Sequence, residues 1–144
     1  MTAKRVLLVL AVVLAGAYLW ANLRWPRLND VETGRTPEYP DLQVKEYAAA
    51  EDRVAKAARA ALDGLPRWTF VGAGQGPGGA EIQAVHETKV FHFKDDVSIR
   101  IRRQGGKTRV SVRSRSRLGK LDFGQNARNI RELLGELDRQ LGGP

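Results

Sequence analysis

Apolar positions along this chain follow three rhythms, and each predicts a different element. The first is an unbroken run. MTAKR leads into VLLVLAVVLAGAYLWA, uncharged from Val6 to Ala21, with Asn22 and Leu23 before Arg24. As a helix, residues 6–23 span about 27 Å at about 1.5 Å per residue, just enough for a hydrocarbon core of roughly 30 Å. Tyr18, Trp20 and Trp25 stand at its C-terminal end, where aromatic rings favour the membrane–water interface. The competing reading is a cleaved signal peptide, with Lys4 and Arg5 as its basic start and Ala15-Gly16-Ala17 as a small-x-small cleavage site. An apolar stretch that continues past Ala17 into bulky aromatics favours an uncleaved anchor.

The second rhythm repeats at three and four. Within Ala48 to Leu65, Val54, Ala57, Ala58, Ala61, Leu62 and Leu65 form one stripe, and Gly64 with Pro66 ends the helix. Phe123 to Leu141 repeats the pattern through Phe123, Ala127, Ile130, Leu133, Leu134, Leu137 and Leu141. Asp122 with Gln125 three residues on predicts a capping box at its start.

The third rhythm alternates, as strands do. It covers Arg67 to Val71, a long stretch from Ala80 to Phe93 bent near Thr88, Asp96 to Arg103, and Thr108 to Ser116. Gln104-Gly105-Gly106-Lys107 predicts a hairpin turn, Gly72 to Gly79 (GAGQGPGG) a turn or flexible loop, and Asp95-Asp96 a bend between strands. Residues 25–43 hold three prolines and no helical period, predicting an extended lead-in that lies against the domain. The order is short strand, helix, four antiparallel strands, helix. It predicts an α+β fold: an antiparallel sheet of about five strands with two helices packed on one face, preceded by a transmembrane helix. The expected organisation is a cytoplasmic tail at 1–5, an anchor at 6–23, the lead-in at 24–43 and the α+β domain at 44–144.

Composition narrows the chemistry. There is no cysteine, which excludes disulfides and thiolate metal sites. Of the formal charge of +8, three positive charges (Lys4, Arg5, Arg24) precede Trp25. The rest carries a mild excess, which argues for loose anion attraction and no particular partner. The distribution says more. From Val97 to Arg131 eleven Lys/Arg face a single acid, Asp122. Strand parity places Arg109, Arg113, Arg115 and Arg117 on one face, opposite Val110 and Val112, with Arg100 and Arg102 outward on the preceding strand. Like charges on neighbouring strands repel unless acids or anions lie close. The alternatives are a solvated outer face balanced partly by Glu81 and Glu87, or an anion-binding face for lipid headgroups, an envelope polymer or an acidic protein partner. Arginine suits the latter because its planar fork takes carboxylate or phosphate bidentately. No aromatic side chain shares that outward face to stack on bases, so nucleic acid is not expected.

A second candidate lies at the strand end. Ser114 and Ser116 continue the inward parity of Val110 and Val112, and Gly119, Lys120, Asp122, Gln125, Asn126 and Arg128 follow at the helix start. Free N–H groups there would cradle an anion, unless Asp122 already caps them and the serines bond to the loop. His86 and His92 share strand parity, and with Asp95 and Asp96 they suggest a metal or acid/base site, but six residues of strand separate them by about 20 Å. His92 with Asp95 and Asp96 is the constellation an enzyme, of hydrolase type, would use. It shows no nucleophile motif, and nothing in the chain calls for a metal or cofactor.

Three blocks carry a family likeness: NDVETG with Pro37 and Pro40 downstream, FKDDVSIRI (93–101), and SRSRLGKLDFGQNARNIREL (114–133). On these, residues 29–141 resemble the bacterial domain-of-unknown-function family numbered 1499. The resemblance implies a membrane-associated envelope protein and brings no activity, cofactor or catalytic residue. The expectation is therefore a single-pass protein of the bacterial inner membrane, held through its N-terminal helix, with an extracytoplasmic domain that binds an anionic ligand. A structural subunit that docks acidic proteins is the other alternative.

Overall fold

A computed structural model of the chain describes residues 2–144. Helix α1 (Ala3–Arg24) buries none of its residues, and it is long and apolar enough to cross a membrane. Strand β1 (Asp30–Glu32) and strand β2 (Lys45–Tyr47) precede helix α2 (Glu51–Gly64). Four long strands follow: β3 (Trp68–Gly76), β4 (Gly79–Glu87), β5 (Lys94–Gln104) and β6 (Lys107–Ser116). Helix α3 (Gln125–Leu141) closes the chain.

The sheet runs β1-β6-β5-β4-β3, antiparallel throughout, with β2 pairing a second stretch of β6. β1 lies against Arg113–Arg115 of β6, and β2 against Thr108–Val110. Both helices cover one face, as the single stripe on each requires. Val54, Ala58, Ala61 and Leu62 of α2 and Ala127, Ile130, Leu133, Leu134 and Leu137 of α3 pack over Val97, Ile99, Ile101, Val110 and Val112. Each large aliphatic side chain sealed there contributes about 1.5–3 kcal/mol. The opposite face of the sheet carries no helix.

Several local expectations change. Gly72–Gly76 is not a loop but the second half of β3, paired from Gly72↔Gln83 to Gly76↔Gly79, so the turn shrinks to Pro77-Gly78. An irregularity between Phe70 and Gly72 resets the register, and glycines at a bulge and along a strand accommodate the bend. Gly79 admits no other residue: its φ is +112°, and a Cβ would stand 2.3 Å from the Ile101 carbonyl oxygen. The stretch from Ala80 to Phe93 is not one strand. β4 stops at Glu87, and 88–93 form a closed turn in which Thr88 N–H donates to Phe93 O and His92 N–H to Thr88 O. Asp95 and Asp96 sit inside β5 rather than at a bend, paired with Ser116 and Arg115. The Gln-Gly-Gly-Lys hairpin forms as expected, Gly105 and Gly106 both at positive φ, as a two-residue turn between right-twisted strands demands.

The start of α3 differs too. Phe123 (φ 51°) and Gly124 (φ 76°) are both left-handed, so the helix begins at Gln125. That moves Gln125 out of capping-box position: its side-chain amide donates to Asn129 Oδ1 at 2.8 Å instead of reaching back. Asp122 still caps, accepting from Gly124 N–H at 2.8 Å and Asn126 N–H at 2.9 Å.

The lead-in is extended and docked. Val31 and Leu42 are buried. Thr33 exchanges hydrogen bonds with Val112, N–H to carbonyl at 3.0 Å and Oγ1 accepting from Val112 N–H at 3.0 Å. The Asn29 side chain donates to Gly119 O at 2.6 Å.

Candidate functional site

The six arginines of the outward face are not one uniform patch. Val110, Val112 and Ser114 point into the core, and Arg109, Arg113 and Arg115 point away from it, as does exposed Arg117 just past the strand. Acids that lie far off in the chain come to meet most of them. Asp30 of β1 takes Arg113 bidentately, Nε at 2.9 Å and Nη2 at 2.5 Å. Asp96 takes Arg117 at 2.7 Å, Glu32 takes Arg100 at 3.2 Å, and Glu46 of β2 stands 3.4 Å from Arg109. The hydrogen bond from Arg113 holds the Asp30 carboxyl below its ordinary range against the opposing effect of burial. Arg102 bonds only to Gln104 Oε1 at 2.9 Å. Among the described residues neither Arg102 nor Arg115 has a carboxylate within ion-pair distance.

The two halves of this array differ in shape. Toward the Ser116 end, Arg113 and Arg117 are locked in exposed pairs on an open surface. Toward the Gln104–Lys107 turn, Arg100, Arg102 and Arg109 gather with Arg35 around a concavity of about 370 Å³, floored by Ser111 and walled by the β3–β4 hairpin at Gly78. Glu32 is the only acid lining it, and it also receives Arg35 at 3.8 Å. Counting Glu46 at its edge, four guanidiniums face two carboxylates. Arg109 Nε is buried and has no hydrogen-bond partner, although Glu46 lies within ion-pair range. The ion-pair contact is to that same Nε, from Glu46 Oε1 at 3.4 Å, and Arg109 Nη1 donates to Gln104 Oε1 at 3.0 Å, the oxygen that Arg102 also uses.

The strand-end candidates form a different object, a buried polar ladder between the sheet and α3. Ser114, fully buried, donates through Oγ to Asn126 Oδ1 at 2.6 Å. Asn126 Nδ2 reaches Asp122 Oδ2 at 2.7 Å, Ser116 Oγ at 2.8 Å and the Asn29 carbonyl at 3.2 Å. Asn129 continues the ladder, donating to Asp95 Oδ2 at 2.8 Å and Ser114 Oγ at 3.2 Å. Every rung has a partner within the domain, so Asp122, Ser114, Ser116 and Asn126 tie strand β6, the lead-in and α3 together, while the Gln125 side chain bonds only to Asn129 and Arg128 within α3. Arg128 folds back onto Phe123 O at 2.9 Å and Gln125 Oε1 at 3.0 Å. Lys120 is exposed.

His92, Asp95 and Asp96 do not converge. His92 sits in the 88–93 turn at positive φ, its Nδ1 2.7 Å from Glu87; that hydrogen bond holds the Glu87 carboxyl below its ordinary range. Asp95 points inward to Asn129 and Asp96 outward to Arg117. The histidine opposite Asp95 is instead His86, buried, with Nδ1 3.7 Å from Asp95 Oδ2 and its ring edge-on to Trp68 at 5.2 Å. Of the two histidines that the sequence sets beside Asp95 and Asp96, it is thus His86 that the register His86↔Asp95 brings to Asp95, and that register depends on where β4 ends. Sequence reading passed over Asn129, buried with Asn126 in the apolar stripe of α3. It also passed over Arg35 and the carboxylates of Asp30, Glu32 and Glu46. Among the described residues no cluster of three His, Cys, Asp or Glu side chains is placed to hold a metal.

Fold and site define a small α+β domain with an open, arginine-bearing sheet face, carried behind a helix long enough to span a bilayer. The chain belongs to the family described as protein of unknown function, DUF1499, which matches residues 23–137. That match begins before β1 and so takes in the lead-in with the sheet. No curated protein matches the chain.

Proposed function

We propose that the chain is a membrane-anchored module whose domain lies on the extracytoplasmic side and binds a phosphate- or carboxylate-bearing ligand at the distal half of its arginine face. The carrying observation is the convergence of Arg35, Arg100, Arg102 and Arg109 on one concavity with too few acids to neutralise them. Guanidinium forks bind such oxygens bidentately, and charge-assisted hydrogen bonds of this kind are the strong ones. The anchored placement is supported by the apolar length of α1, and the outward-facing one by the shortness of the tail before it, since Lys4 and Arg5 are nearly balanced by Arg24 and Arg27 at the other end. The proximal arginines Arg113 and Arg117 already hold their anions, Asp30 and Asp96, so they serve the sheet rather than a ligand.

The test is titration of the full chain in neutral detergent micelles with inorganic phosphate and with citrate, at rising NaCl. Binding is expected at low salt and weakens as the screening length shortens from about 10 Å at 0.1 M. Arg102→Gln, which breaks no ion pair, is expected to weaken binding about tenfold. A hydrogen bond to a charged group is worth about 1.5–3 kcal/mol, and about 1.4 kcal/mol is a factor of ten. Arg115→Gln, outside the concavity, leaves binding unchanged. Equal affinity in the wild type and Arg102→Gln, or no binding of either anion, refutes the reading.

A further inference from the structure

Outside α1, the large apolar side chains left most exposed are Val71, Val90, Phe91, Phe93, Leu118 and Phe123. All but Val71 line or frame a single cleft of about 470 Å³ at the Ser116 end of the sheet. The 88–93 turn presents three of them in a fixed arrangement: Thr88 Oγ1 accepts from Phe93 N–H at 2.9 Å, and the Phe91 and Phe93 rings stack at 5.4 Å. The β6–α3 loop presents the other two. Scattered apolar residues on a surface need no explanation, but a contiguous patch marks an interaction site.

What covers this patch is indicated by its connection to α1. Trp20 in the last turns of α1 meets Trp25 edge-on at 5.4 Å, and Trp25 meets Phe123 edge-on at 6.3 Å. The rings therefore run without a break from the C-terminal end of the apolar helix to the rim of the cleft. Trp25 also lies directly on the Gly124 backbone, where a Cβ would stand 2.6 Å from Trp25 Cδ1. Arg24, Arg27, Lys89 and Lys120 surround this end, and none has a carboxylate partner among the described residues. Aromatic rings at the headgroup level, aliphatic groups below them and free basic side chains around them make the signature of a surface seated in a bilayer interface.

We infer that this end of the domain docks into the interfacial layer of the bilayer that holds α1, with Val90, Phe91, Phe93 and Leu118 entering the acyl boundary and Lys89 and Lys120 meeting lipid phosphates. The inference rests on α1 being a retained anchor. Docking fixes the tilt of the sheet, so the arginine concavity at the opposite strand end points away from the membrane.

The absence of native cysteine makes the test direct. The full chain carries one environment-sensitive fluorophore on a single introduced cysteine and is reconstituted in nanodiscs of mixed neutral and anionic lipid. The positions are Phe91→Cys, Leu118→Cys, Gln104→Cys at the distal hairpin and Leu14→Cys in α1. All four are exposed in the fold, so none opens the core. The expected result is several-fold weaker quenching by aqueous iodide at 91 and 118 than at 104, together with quenching by doxyl-labelled lipid. Labels at 91 and 118 as open to iodide as 104, with 14 protected, overturn docking while leaving the anchor intact. An unprotected label at 14 overturns the anchor, and docking falls with it. Protection at 91 that appears only when two copies share a disc assigns the patch to a second copy and likewise refutes the inference.

Discussion

Replacing Asn126 by alanine probes the ladder that joins lead-in, sheet and helix. The side chain is fully buried and makes four contacts, accepting from Ser114 Oγ and donating toward Asp122, Ser116 and the Asn29 carbonyl. Most of the partners have substitutes. The Asn29 carbonyl keeps Ser116 N–H at 2.8 Å, and Asp122 keeps two backbone N–H groups. Ser114 does not: its hydroxyl hydrogen loses its acceptor where no water reaches. One stranded buried donor costs about 1–3 kcal/mol, and the lost bond to the Asp122 carboxylate adds to it, giving a total of about 2–4 kcal/mol. Ser114→Ala removes the donor itself, so the double variant should be destabilised by about 1 kcal/mol less than the sum of the singles. Asn126→Asp should be worse than alanine at neutral pH, because a carboxylate oxygen then faces Asp122 Oδ2 where an amide donated at 2.7 Å. Two such groups cannot both stay ionised, so that variant regains stability as pH falls. Urea unfolding of the full chain in non-ionic micelles, followed by near-ultraviolet circular dichroism to report the packing of buried Trp68 and Tyr47, reads all three. A loss below about 0.5 kcal/mol for Asn126→Ala, the range of an ordinary surface change, refutes the assignment.

Glycine substitutions separate conformation from propensity on α3. Gly124→Ala, at φ +76° with Trp25 in the way, should destabilise by about 1–2 kcal/mol, whereas exposed Gly135→Ala, with open space around its Cβ, should stabilise by about 0.5–1 kcal/mol; thermal midpoints decide both. Asp30 supplies a pH dependence. Its folded pKa lies below its unfolded value because Arg113 hydrogen-bonds it, so its contribution is present above the unfolded value near about 4 and is lost as pH falls through the folded one. The urea-midpoint gap between wild type and Asp30→Asn should therefore close on acidification from pH 5 toward the acid limit, and a constant gap would count against the pair. Half-exposed as both side chains are, the gap at neutral pH should be about 1 kcal/mol or less.

Local signals carried most of the architecture. The two helical stripes, the alternation of β5 and β6 and the Gln-Gly-Gly-Lys turn are all read within a dozen residues, and each survives in the structure. What escaped reading is long in range. Asp30 and Arg113 are 83 residues apart and Glu32 and Arg100 are 68 apart, so the strand pair is opposed not by Glu81 and Glu87, which meet Gln83 and His92, but by acids whose position depends on β1 joining β6. Gly72–Gly76 escaped for the opposite reason: glycine's local preference for turns was overridden by its neighbour β4, whose side chains and backbone define a strand there. Ser114 was correctly placed inward by parity, but its partners Asn126 and Asn129 could be recognised only once α3 was known to cross that end of the sheet.

The three sequence blocks that carry the family likeness are joined to one another by side-chain contacts across the sheet. NDVETG supplies Asn29 to Gly119, Asp30 to Arg113, Glu32 to Arg100 and Thr33 to Val112. FKDDVSIRI supplies Asp95 to Asn129 and Asp96 to Arg117. The last block supplies the serines, Asp122, Gly124 and Asn126. The groups of NDVETG fasten the segment leaving α1 to the sheet and to the β6–α3 loop, while Asp95 and Asp96 fasten β5 to α3 and to Arg117; Glu32 and Arg100 also line the concavity. A flexible linker would let the domain tumble at the end of its helix, and nothing about the arginine concavity would then depend on the membrane. A lead-in stitched down from Asn29 onward, a few residues after α1 ends, leaves little slack between helix and sheet. The contacts from Asn29 to Thr33 thus constrain how the domain stands relative to α1, which is the property that the proposed ligand site at the far strand end and the proposed docking of the apolar patch at the near one both require.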